Sequence, residues 1–248
     1  NMAYQKGDIK LEGQLGDLTF YKQGGSHRAR VKRGVDPKRI AKDPKFERSR
    51  ENSMEFGRAS AMAKKIRVAL REVLPLFHEG TMQTRLNGRI LQVIKNDATN
   101  VRGERSLAAT DLPLLIGFSF NAASAWKDVY FGAVARSFDT ITKKIQVVFP
   151  SYWGPAVISA PKDASGIRFS VVALAMDPEK ESCLCSFEHS PILPKSGNLP
   201  EQLFELEVAT ADTPIILLTG LAFFREKGGY DMPIEQPMAN ALDIIDVL

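Results

Sequence analysis

Two cysteines, three histidines and a large stock of carboxylates are the residues through which this chain could do chemistry. Cys183 and Cys185 stand two apart in the stretch SCLCSF, whose texture predicts a strand, so both side chains fall on one face. A disulfide between them would be strained, and a zinc site would need two more ligands. His27, His78 and His189 are too widely spaced to supply those ligands by proximity in sequence. The expectation is a pair of small, half-buried strand residues. No phosphate-binding G-x-x-x-x-G-K-[ST] loop, dinucleotide G-x-G-x-x-G, nucleophile elbow G-x-S-x-G or zinc H-E-x-x-H is present. Two acids could still meet in space as general acid and base, and spacing alone does not identify such a pair. The residues therefore point away from an enzyme, with no catalytic residue, metal ligand or cofactor assigned.

Trp126, Tyr130, Phe131, Tyr152 and Trp153 form a second group with chemical potential. Exposed, they could stack on sugars or bases. In a β domain such residues are more often packing, and packing is expected here.

The strongest local signal is electrostatic. Residues 27–50, HRARVKRGVDPKRIAKDPKFERSR, hold ten Lys or Arg against three acids. The net charge of +4 hides a division: residues 1–110 carry 23 cations and 12 acids, and residues 111–248 carry 10 and 17. Ten cations in so short a stretch could displace counterions from nucleic acid. Phe46 is the only aromatic interleaved for stacking. Val31, Val35, Ile40 and Phe46 recur as apolar anchors, and Asp36–Pro37 and Asp43–Pro44 are helix-start pairs. A solvated tail needs neither, so the segment reads as ordered and laid against a surface.

The elements that must position these residues follow from periodicity. Alternation in GDIKLEG, GDLTFYK and HRARVKR, punctuated by glycines, predicts short strands over residues 8–33. A meander this small is marginal alone. Phe56, Ala59, Met62, Ala63, Ile66, Ala69, Leu70 and Val73 predict a helix over about 45–74, with a break near Gly57, ended by Pro75. Met82, Leu86, Ile90, Val93 and Ile94 predict a second helix after Thr81. From about residue 107 the pattern turns to β: LLIGFSFN, WKDVYFGAVARSF, KIQVVFP, IRFSVVALAM, SCLCSFEHS, LFELEVAT, PIILLTGLAFFRE and ALDIIDVL. Gly228–Gly229 is a hairpin signal. Strands without alternating helices disfavour a doubly wound fold.

The pieces GQLGDLTFYK (13–22), DPKFERSREN (43–52) and EFGRA (55–59) resemble a family of uncharacterised bacterial proteins of Bacteroidetes type. A looser similarity, over nearly the whole length, is to a larger family with a glycine-rich β start, a helical middle and an immunoglobulin-like C-terminal domain. The resemblance implies architecture and carries no catalytic residue.

The fold class expected is α+β, mainly β: a β arm over 1–35, a basic linker and helical hairpin over 36–106, and an immunoglobulin-like β-sandwich over 107–248. The function expected is that of a structural or protein-interaction protein, assembling with itself or with a larger particle. Its contact would be the arm, through Leu18, Phe20, Tyr21, Arg28, Arg30, Val31, Lys32, Arg33, Lys38, Arg39, Ile40 and Phe46. Nucleic-acid binding by segment 27–50 is the alternative, and a carbohydrate-binding sandwich a third reading. NMAYQKGDIKLEG has no apolar h-region, and no run of eighteen apolar residues exists, so a cytoplasmic protein without a membrane span is the default, with leaderless export or particle association left open.

Overall fold

A computed structural model describes residues 2–31, 35–77, 79–208, 213–234 and 239–248. The chain divides into two compact units, Asn1–Arg50 and Glu51–Leu248.

The first unit is built on four short strands: β1 (Met2–Tyr4), β2 (Gly13–Leu15), β3 (Leu18–Gln23) and β4 (Ser26–Val31). They form one antiparallel sheet in the order β1-β4-β3-β2. The β3–β4 turn is Gly24–Gly25, with φ of 56° and 77°. Both residues lie in the left-handed region, as a two-residue turn matched to strand twist requires. After the sheet comes α1 (Pro37–Lys42), then a single 3-10 turn, Pro44–Phe46. The two Asp-Pro pairs act as read: the Asp36 carboxylate accepts from Lys38 N at 2.9 Å and the Asp43 carboxylate from Lys45 N at 3.0 Å.

The second unit opens on α2 (Glu47–Ala69), which crosses the division between the units. It runs without a break at Gly57, because an interior glycine costs a helix only about 1 kcal/mol. A 3-10 turn, Leu74–Leu76, and then α3 (Met82–Lys95) follow. Next come a 3-10 stretch, Ala109–Leu115, and one-turn α4 (Trp126–Val129). Strands β5 (Ala135–Asp139), β6 (Lys144–Phe149) and β7 (Tyr152–Trp153) precede one-turn α5 (Gly154–Val157). The rest is strand: β8 (Gly166–Asp177), β9 (Ser182–His189), β10 (Leu193–Pro194), β11 (Asn198–Leu199), β12 (Gln202–Glu207), β13 (Ile215–Lys227), β14 (Tyr230–Pro233) and β15 (Ala241–Val247).

Strands β10, β8, β13 and β14 lie side by side in a six-stranded antiparallel sheet, with β9 also on β8 and β15 also on β13. A second sheet has the order β12-β6-β5, and β11 pairs with β7. The long apolar runs of β8 and β13 follow from burial on both faces. Val172, Leu174, Met176, Leu218 and Phe224 share one cluster with Ala63, Ile66 and Leu70 of the α2 region and Leu86 and Ile90 of α3. Their strand neighbours Phe169, Val171, Ala173, Leu217 and Phe223 join Val147 and Phe149 of β6 and Phe204 of β12. The unit is thus helices, large sheet, small sheet. One core runs across residues 106–107, where the sequence reading placed a boundary. Gly220 makes room in it: a Cβ there would meet Phe77 Cζ at 3.0 Å and Leu242 Cδ1 at 3.1 Å.

Two expected strands are corrected. In LLIGFSFN the first residues are 3-10 around Pro113, and only Ser119 makes a β-bridge, to Asp243. In WKDVYFGAVARSF the start is α4, and the strand begins at Ala135. The architecture is α+β, with mixed helices and several antiparallel sheets.

Candidate functional site

The first unit has no buried residue among those described, although its four strands form one continuous sheet. Alternation along the strands sorts its side chains onto two faces. The register sets Leu15 opposite Leu18, Leu18 opposite Val31, and Phe20 opposite Ala29, which faces Ala3. That is one apolar face, and it is open: Leu15 is 68% exposed, Leu18 39% and Val31 46%. The other face pairs Tyr21 with Arg28 and Arg28 with Tyr4, and sets Thr19 beside Arg30. On it the Arg28 guanidinium lies 5.2 Å from the Tyr4 ring centre and the Arg30 guanidinium 5.3 Å from that of Tyr21. Both outer strands, β1 and β2, have one neighbour each.

The expected contact residues therefore separate. Leu18, Phe20 and Val31 share the apolar face, and Tyr21, Arg28 and Arg30 the basic one. Lys32 and Arg33 lie outside the described residues. Lys38, Arg39 and Ile40 are on α1, all exposed, and Phe46 closes the following 3-10 turn. Arg39 is engaged within the segment, donating from Nε to Asp43 Oδ2 at 3.1 Å and lying 5.9 Å from the Phe46 ring centre. Arg50 donates to the carbonyls of Ile40 at 2.7 Å and Asp43 at 3.0 Å. The backbone N–H of Lys45, then Arg39, hold the Asp43 carboxyl below the usual range. Two cations of the basic stretch, Arg39 and Arg50, thus fasten its own turns. The unit still carries 13 Lys and Arg against 6 Asp and Glu.

The motif residues of the helix start are occupied in the second unit. Glu55 is buried and accepts from Gly103 N at 2.9 Å. Arg58 Nε donates to Arg105 O at 2.7 Å, and Arg102 Nη2 donates to Asn52 Oδ1 at 2.8 Å. The loop so held is closed on itself by Asp97, which accepts from Thr99 N, Asn100 N, Asn100 Nδ2 and Ser106 N. These donors hold the Asp97 carboxyl well below the usual carboxylate range. Glu55 escaped the sequence reading because the apolar stripe assigned its place to Phe56, which is exposed.

Of the residues first weighed for chemistry, Cys183, Cys185 and His189 are half-buried. Burial pushes both Cys183 and Cys185 thiols up to about 11, so neither is a ready thiolate. Both pack against the helical cluster, with Cys183 Sγ 4.0 Å from Met62 Sδ. His189 bonds Ser170 Oγ through Nδ1 at 2.8 Å, and burial, then Arg168, lowers its pKa. His78 lies outside the described residues. Among the described residues no group of three His, Cys, Asp or Glu is placed to hold a metal ion. Trp126 and Tyr130 pack on Phe149, Phe169 and their neighbours, whereas Phe131 and Trp153 are exposed.

Asp243 is the exception among the acids. It is buried opposite Thr219, its Oδ2 accepts from Trp126 N at 3.0 Å, and it holds the first turn of α4. Burial raises its pKa to about 6, with Asp128 adding to the rise. The folded chain therefore keeps this proton between pH 4 and 6, where the unfolded chain has released it. The stabilisation is fullest below pH 4 and declines as pH rises to about 6, by roughly 3 kcal/mol in all. Asp243→Asn is expected to remove that decline and to raise the urea midpoint at pH 7. Urea unfolding of both proteins at pH 4, 5, 6 and 7 measures it.

No helix among the described residues is long and apolar enough to cross a membrane. Set against family models, curated proteins and solved structures, the chain matches none of them.

Proposed function

We propose that this is a non-enzymatic structural protein that assembles with further copies of itself through the sheet of its first unit. The observation that carries the reading is a four-stranded sheet with an open apolar face and no buried residue among those described. A single-layer sheet gains stability by covering such a face, and domains are built from two or more packed layers. A second copy of the sheet on Leu15, Leu18, Phe20 and Val31 supplies the missing layer. The outer strands β1 and β2 offer unpaired backbone groups for strand addition. The charge division, basic first unit and more acidic remainder, favours encounter between copies.

The second unit is the rigid body that such an arm would join. The two facing sheets of its β part support a sandwich of the immunoglobulin-like type, with the helical layer added on the outer face of the larger sheet. This architecture is the one the family resemblance implies. Light scattering on the full chain and on a chain lacking residues 1–50 tests the reading. Masses above the monomer, falling to the monomer on truncation, are expected.

A further inference from the structure

We propose that the other face of the first unit's sheet binds single-stranded nucleic acid. Three observations meet there. Register and alternation place Tyr4, Tyr21, Arg28 and Arg30 on one face, opposite to the apolar one. Both arginines are laid against tyrosine rings, at 5.2 and 5.3 Å from the ring centres. The remaining strand positions of the face, Met2, Gln14, Thr19, Gln23 and Ser26, include no acid.

The chemistry of that set suits a flexible polyanion with flat bases. A guanidinium keeps five N–H donors in a planar fork that matches phosphate oxygens two at a time. Bases stack on aromatic rings and on guanidinium planes alike, which needs no base sequence. Arg28 and Arg30 are successive same-face residues of β4, about 7 Å apart along the strand, so they meet successive parts of an extended backbone. A duplex offers its phosphates but hides its base faces, so the tyrosines would gain nothing from it. An acidic protein surface would use the cations and leave the rings unused. Single strands are the one partner that uses both. The contact adds to assembly without depending on it, since it occupies the face that assembly leaves open.

The test is fluorescence anisotropy with a labelled oligo(dT) of about 20 nucleotides and a duplex of the same length, over a salt series from about 50 mM. The full chain is expected to bind oligo(dT) more tightly than the duplex. Arg28→Gln with Arg30→Gln should weaken binding at least tenfold and reduce the slope of log affinity against log salt by about 1.4, near 0.7 for each phosphate lost. Tyr4→Thr with Tyr21→Thr should weaken it about tenfold or more and leave the slope unchanged. Circular dichroism matching the parent shows that each variant keeps its strands. No binding at the lowest salt overturns the proposal. So does equal affinity for the duplex, or a tyrosine pair whose loss changes nothing. Solution mass is read separately, so failure here and failure of the assembly reading are distinguishable.

Discussion

Phe149→Ala is expected to destabilise the second unit by about 4 kcal/mol, in the range for emptying an aromatic site in a core. The ring is almost wholly buried and touches four others: Trp126 at 6.0 Å, Tyr130 at 5.8 Å, Phe169 at 4.7 Å and Phe204 at 5.6 Å between centres. Phe149 belongs to the small sheet, Phe169 to the large one, and Trp126 to α4, so the stack joins three elements. Phe149→Leu should cost much less, because it keeps most of the volume. The urea midpoint, read with an unchanged slope, measures both. The result also bears on function. Tyr130 is then a core residue and Trp126 a half-buried one packed against the same cluster, whereas Trp153 stays exposed.

Asn240→Ala is the second large loss, also about 4 kcal/mol, and its cause is different. The Asn240 amide accepts from Phe223 N at 2.9 Å and donates to Leu76 O at 2.8 Å and Ile234 O at 3.0 Å. Its own carbonyl accepts from Asn121 Nδ2 at 2.7 Å. Alanine strands a buried N–H and two carbonyls, and each stranded group costs about 1–3 kcal/mol. Asn240→Asp keeps an acceptor for Phe223 N but turns a carboxylate toward two carbonyl oxygens, so it should not rescue. Hydrogen exchange at Phe223 separates this from a packing loss: that amide should lose protection first.

Both residues show where a sequence is mute. The stretches 144–150, 167–176 and 214–226 announce strands by apolar, β-branched texture, and β6, β8 and β13 lie there. The stripe from Met82 to Ile94 announces α3, and each of its five apolar residues is buried. The Gly228–Gly229 turn was legible because both residues need a positive φ, 63° and 82°. Asn240 and Asp243 were not legible, since their partners stand far away along the chain: Leu76 for one, Trp126 for the other. The same distance explains the misread start of WKDVYF. Its one helical turn is held by a carboxylate 117 residues away.

The candidate site was half legible. Charge and alternation marked Leu18, Phe20, Val31, Arg28 and Arg30, but treated them as a single contact. Alternation sets Leu18 and Phe20 against Tyr21, and Val31 against Arg28 and Arg30, within each strand; register adds which faces of neighbouring strands coincide. Tyr4 was invisible for the same reason: it meets Arg28 through β1, which no periodicity in so short a segment could announce.

The measurement that tests assembly most directly is sedimentation equilibrium on the full chain and on Leu18→Thr with Val31→Thr. Threonine keeps strand preference and removes most of the apolar contact. The account predicts a parent heavier than a monomer and a variant at monomer mass, with matching circular dichroism. A parent that is monomeric at every concentration, or a variant that keeps the parent's mass, would contradict it.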